Sequence, residues 1–206
     1  MNIGILGFDP GLTLAGWAVC DYNTQTGQLV IHKFGTISAN KVVSRANMRE
    51  EVELYGKRIM ALSYLRQQVY NLLMDYKPTY VVSEDAFFDF RRPTAYAALL
   101  QWLTAVELVL KDNLNMPLFK VAPKLVKACM SGMGDAKKVG IQNAVINSKD
   151  IQFKQKNYES DLVEHTADAI AVCYTFTREI FPSLTATLVE DNAECLEKGT
   201  NEKENQ

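Results

Sequence analysis

The chain predicts an α/β fold, a five-stranded mixed sheet with helices on both faces. Three observations lead there. Short apolar runs bounded by turn residues open the sequence as a meander of strands. Beyond the meander, strand-like and helix-like segments alternate. With 206 residues, 48% of them hydrophobic, the chain has material for one core and little for a second domain.

NIGILGFD is an apolar run stopped by Asp9-Pro10-Gly11, so it reads as a buried strand ending in a turn. AGWAVCDY and LVIHKFGTI follow as the second and third strands, joined by the hairpin segment NTQTGQ. Residues 46–76 carry helical spacing, with Leu54, Ile59, Leu62, Leu65, Val69 and Leu73 as the buried stripe, and Lys77-Pro78 ends that helix. TYVVSED is the fourth strand and runs into an acidic end. Residues 93–110 are helical again until 113–117 break the pattern, and PLFKVAP is the fifth strand. Pro123 opens a short helix to Met130, 131–134 interrupt it, and Asp135 is placed to cap a further helix toward Val145. Residues 147–160 are polar and read as a loop. The last helix is expected over 160–180, stopping before Pro182. These segments give a domain over 1–182 and an acidic, disordered tail over 183–206.

The net charge of −2 conceals a segregation. Between Lys111 and Lys156 nine lysines face three aspartates, whereas Glu190 to Gln206 holds six acids and two lysines. A phosphate backbone responds to the local field, so a basic segment counts even in an acidic chain. Such a run is equally compatible with a solvated surface. Cys20, Cys129, Cys173 and Cys195 lack metal-ligand spacing, and Cys20 and Cys173 sit in apolar runs as small core residues, which fits a reducing compartment. The N-terminus lacks signal-peptide character, and no apolar run is expected to be long enough for a membrane span, so the chain is expected to be soluble and cytoplasmic.

Three scaffolded positions carry carboxylates: Asp9 ends the first strand, Glu84 ends the fourth, and Asp168 lies in the last helix within HTADAIAV. Each has an ordinary structural explanation alone. Asp-Pro-Gly is a common turn, and an acid at a strand end can simply be solvated. Asp168 is harder to dismiss, because a charge among alanines in a buried helix is costly without a partner. Converging carboxylates repel unless a cation lies between them, and such oxygen-rich sites suit Mg²⁺ or Mn²⁺. A pair of such ions can hydrolyse a phosphodiester. His165 lies three residues before Asp168 on the same helical face, as a metal ligand or a proton relay. Asp161 and Glu164 are candidate supporting acids, or just the acidic first turn of the helix.

At these positions the chain resembles the RuvC family of Holliday-junction resolvases. The resemblance is carried in order by Gly7-Phe8-Asp9-Pro10-Gly11 with Ala15-Gly16-Trp17-Ala18-Val19, by Val82-Ser83-Glu84 with Phe87, by Ala122-Pro123-Lys124-Leu125-Val126-Lys127 with Gly132-Met133-Gly134-Asp135-Ala136-Lys137-Lys138, and by His165-Thr166-Ala167-Asp168-Ala169-Ile170-Ala171. It runs from about residue 3 to 178 and implies the RNase H-like, or retroviral-integrase-like, fold. It also implies a catalytic metal site of Asp9, Glu84, His165 and Asp168 holding two Mg²⁺ ions, for which Mn²⁺ substitutes. Lys127 and Lys138 match lysines facing the scissile phosphate, where a cation offsets developing negative charge. Phe87 matches an aromatic that wedges into bases at the junction centre, with Phe88 as its alternative. Arg91, Arg92, Lys124 and Lys137 would join them in binding DNA. Family members are homodimers, and the Leu/Ala/Val-rich stretch 96–110 is either a dimer face or plain core. Residues 40–53 and the acidic tail depart from the family pattern.

The implied function is metal-dependent cleavage of branched DNA, a four-way junction above all, leaving 5′-phosphate and 3′-hydroxyl ends. A non-catalytic junction binder on the same fold is one alternative. An actin-like ATPase, whose first phosphate motif also reads Asp-x-Gly after a strand, is another, but it requires a second lobe that 206 residues do not provide.

Overall fold

The computed structural model describes residues 1–91, 93–131, 138–156 and 158–186. Six strands form one sheet: β1 (Asn2–Asp9), β2 (Leu14–Asn23), β3 (Leu29–Ser38), β4 (Tyr80–Glu84), β5 (Leu118–Val121) and β6 (Ile151–Phe153), in the order β5-β4-β1-β2-β3-β6. The meander β1-β2-β3 is antiparallel, while β4 pairs parallel to β1, β5 to β4 and β6 to β3. The helices are α1 (Asn40–Val43), α2 (Arg49–Tyr55), α3 (Lys57–Tyr76), α4 (Pro93–Leu114), α5 (Pro123–Ser131), α6 (Lys138–Asn147) and α7 (Glu164–Thr175).

Strand periodicity divides the core in two. Leu6 and Phe8 of β1 join Val19 and Val81 on one face, where they meet Leu65, Val69 and Leu73 of α3 and Trp102, Leu103 and Val106 of α4. Ile3 and Ile5 point the other way with Ala18, Cys20 and Val82, against Val126 of α5, Ile141 and Val145 of α6, and Ile170 and Val172 of α7.

Five expectations change. The sheet has a sixth strand, β6, inside the segment expected to be a loop; three residues with an exposed Gln152 show no alternation to read. The single helix expected over 46–76 is broken at Gly56, whose φ of 81° and ψ of 150° fall where glycine alone is comfortable. Leu54 and Ile59, 74% and 55% exposed beside that break, are consequently outside the core stripe, and Leu62 is only partly covered. The last helix starts at Glu164 and its backbone stays helical to residue 186, with a π turn over Phe176–Ile180 leading past Pro182. Finally, α4 is by length and composition apolar enough to cross a membrane, which the sequence was not expected to contain. Its residues Trp102, Leu103, Val106, Val109 and Leu110 are instead buried in the core.

Lys77 ends α3 in the left-handed conformation (φ 45°), as the Lys77-Pro78 stop predicts. The Asp135 cap and the tail beyond residue 186 lie outside the described residues.

Candidate active site

Parity on the strands decides where the acids go. Asp9 shares its face of β1 with Ile3 and Ile5, and Glu84 shares its face of β4 with Val82, so both carboxylates belong to the side covered by α7. Phe8 pairs with Ser83 in the parallel β1–β4 ladder, which sets Asp9 and Glu84 side by side one step further on. Strands in such a ladder lie about 4.8 Å apart.

The N-terminal turns of α7 supply the rest. The helix lies close to the strands because small residues meet there. A Cβ on Gly16 would stand 1.9 Å from the backbone oxygen of His165, and one on Gly7 would stand 2.2 Å from Cys173 Sγ and 2.9 Å from the carbonyl oxygen of Ala169. Ala167, Ala169 and Ala171 on the helix are fully buried. Asp9, Glu84, His165 and Asp168 thereby line one cavity of about 190 Å³, joined by Glu164, Lys127, Pro123, Val126 and Ile141.

Within it, His165 Nδ1–H donates to Asp9 Oδ2 at 2.5 Å. Asp9 is only 8% exposed, and a buried carboxylate needs such a partner. That hydrogen bond is the main cause that raises the His165 pKa above its ordinary value; partial burial opposes it, and the charges of Asp9, Glu164 and Asp168 reinforce it. The donors are oxygen-rich with one imidazole, a set that suits a hard divalent cation. Among the described residues, however, no three of His, Cys, Asp and Glu approach closely enough to hold an ion as they stand.

The other predicted positions separate. Lys127 lines the cavity from α5, whereas Lys124 on the same helix is exposed. Asp161 is exposed, accepts a hydrogen bond from Gln155 at 2.8 Å and is not among the cavity residues, unlike Glu164. Phe87, Phe88 and Arg91 are exposed on the loop between β4 and α4. Arg92 and Lys137 lie outside the described residues, as does the side chain of Lys138 at the start of α6. The positioning role of Gly7 and Gly16 was missed, although a glycine inside an apolar strand is itself a signal that another backbone approaches.

A mixed sheet with a carboxylate at the end of each of two parallel neighbours, covered by a helix bearing a third, is the architecture of RNase H-like proteins. A family model for crossover junction endodeoxyribonuclease RuvC matches residues 5–176, and the chain belongs to that family. It is 30% identical over 174 residues to the crossover junction endodeoxyribonuclease RuvC of Endomicrobium trichonymphae, covering 84% of this chain and 80% of that protein. Among solved structures it is similar to Thermus thermophilus RuvC, with a TM-score of 0.62 at 20% identity, covering 85% of this chain and 96% of the other. It matches T. thermophilus RuvC in complex with Holliday junction substrate equally well, with a TM-score of 0.62 at 20% identity over 84% of this chain and 92% of the other. These two structures speak for the fold.

Proposed function

We propose that the protein is a homodimeric, metal-dependent endonuclease that resolves four-way and related branched DNA junctions. The observation that carries the reading is the shared cavity of Asp9, Glu84, His165 and Asp168, with Lys127 at its wall, in a chain of the RuvC family.

Asp9, Glu84, His165 and Asp168 would hold the metal, two Mg²⁺ ions, with Mn²⁺ as a substitute. Bound there, such ions would supply activation of an attacking water and stabilisation of the leaving oxygen. The protein's own groups do the remainder. Asp9 orients the His165 ring through Nδ1, which leaves Nε2 to take part in proton transfer or ligation. Glu84 and Asp168 turn inward from their strand and helix to complete the donor set. Lys127 offsets charge developing on the phosphate oxygens, with Lys138 as its counterpart. Water oxygen bonds to phosphorus and gives up a proton, the bond from phosphorus to the 3′ oxygen breaks and that oxygen takes up a proton, so 5′-phosphate and 3′-hydroxyl ends result.

Phe87, 58% exposed, is the wedge at the branch point, in preference to Phe88, whose ring is engaged edge-to-face by two others. Lys124, Lys137, Arg91 and Arg92 contact phosphates. The homodimer forms through the outward stripe of α4, where Leu100 and Leu108 are 41% and 50% exposed on the side opposite the core. Residues 1–182 are the nuclease domain and 183–206 an acidic appendage, and the protein works in the cytoplasm.

The test is cleavage of an end-labelled four-way junction and a matched linear duplex with Mg²⁺, with Mn²⁺ and with EDTA. Paired symmetric nicks on the junction alone, dependent on the cation, are expected. Tight junction binding without cleavage in either cation would leave a non-catalytic binder instead.

A further inference from the structure

The loop between Glu84 and Pro93 carries more aromatic surface than one wedge requires, and its geometry is prepared rather than loose. Its first residue, Asp85, donates its N–H to Val121 O at 2.8 Å, extending the β4–β5 pairing by one step. At its far end the Arg91 N–H donates to Asp89 Oδ1 at 2.9 Å, a turn that encloses Phe90. Phe88 lies between two rings: its centroid is 4.9 Å from Phe90 at 78°, and 5.2 Å from Tyr96, in the first turns of α4, at 85°. Both are edge-to-face contacts of the favourable kind.

Phe90 ends this row of rings and is 88% exposed, the most exposed large apolar side chain in the described residues. Phe88 is the only ring it touches among the described residues. Stability does not explain it, since a side chain so open to water contributes little to the core. Arg91 follows directly, with its side chain 93% exposed and only a loose 3.9 Å approach to Asp89. An aromatic ring presented on a supported mount beside an outward cation matches one ligand chemistry well: an unpaired nucleobase with its phosphate.

We propose that Phe90, buttressed by Phe88 and Tyr96, is a stacking platform for an unpaired base at the branch of the DNA, separate from the wedge at Phe87. The inference rests on the branched-DNA reading above. Phe87 parts the bases, and Phe90 receives one that has been displaced, with Arg91 on the adjoining phosphate. Because every base has a π face, the subsite is tolerant of sequence.

The experiment measures binding in EDTA, where no cut can occur, by fluorescence anisotropy. The probes are a four-way junction with two unpaired bases at its centre and a matched linear duplex. Phe90→Ala is expected to weaken junction binding by about 5- to 150-fold, the cost of one lost base stack. Duplex affinity stays within about twofold, because phosphate contacts dominate there. Phe90→Trp restores the junction affinity, and the losses of Phe87→Ala and Phe90→Ala multiply in the double variant. Junction binding by Phe90→Ala equal to wild type, or an equal loss on duplex, overturns the platform while leaving the branched-DNA reading intact. Wild-type protein that binds both DNAs alike overturns that reading and the platform with it.

Discussion

The two faces of the sheet both carry apolar cores, but they meet their helices differently. Toward α3 and α4 the strands present Leu6, Phe8, Val19 and Val81, and the helices answer with Trp102, Leu103, Leu65 and Leu73. Toward α7 the strands present Ile3, Ile5 and Val82 but interrupt them with Gly7 and Gly16, where the helix comes close and carries alanines. Large side chains keep a helix at a distance and fill the space with apolar volume, whereas glycine against alanine lets backbones approach. Both faces carry a large apolar core. The second gives up apolar volume only at Gly7 and Gly16, so that the N-terminal turns of α7 reach the ends of β1 and β4, and the polar cavity lies there.

The contrast is sharpest for Asp9 and its neighbour Phe8, successive residues on opposite faces. Asp9→Asn is expected to cut junction cleavage by at least about a hundredfold, on the scale of losing one charge-stabilising group. Its thermal midpoint should hardly move, and a large drop in stability with normal cleavage would reverse the assignment of the faces. On the other side, Trp102→Ala should cost about 3–5 kcal/mol in urea unfolding, the usual loss for a buried aromatic. Cleavage per folded molecule should survive it.

Glycines offer a finer comparison along neighbouring strands. Gly16→Ala has no room against His165 and should cost about 1–3 kcal/mol, with cleavage falling alongside as α7 is pushed off the strand ends. Gly4→Ala, whose nearest neighbours would be 3.7 Å away, should stay within about 0.5 kcal/mol and keep full activity. Similar losses at both positions would mean that close approach of α7 is not what Gly16 provides. A modest effect is expected of Lys124→Ala, exposed on α5. It should weaken junction and duplex binding alike and lower the salt slope by about one, measured by titration at several ionic strengths.

Much of this was legible in the residues, unevenly and for physical reasons. β1 to β5 announce themselves because apolar runs end in strong turn residues, and the acids at the ends of β1 and β4 are fixed by that same punctuation. Asp168 could be singled out because alanines around a charge demand a partner. The break between α2 and α3 was hidden, since helical spacing continues through Gly56 on both sides and only the backbone shows that Leu54 and Ile59 leave the core. β6 is too short and polar to signal itself, and its pairing partner, β3, is over a hundred residues away. The hydrogen bond between Asp9 and His165 joins residues 156 positions apart, which no local pattern encodes. The proposed preference for Phe87 over Phe88 likewise rests on ring contacts of Phe88 that no local pattern encodes.

Asp9, Glu84 and Asp168 come from three elements, and as one proposed cation site they are expected to bind a divalent ion together. Calorimetric titration with Mn²⁺ tests this most directly, comparing wild type with Asp9→Asn, Glu84→Gln and Asp168→Asn. Saturable binding by the wild type, weakened severely by each of the three substitutions, is expected. Binding that survives all three unchanged would contradict it and place the metal elsewhere in the chain.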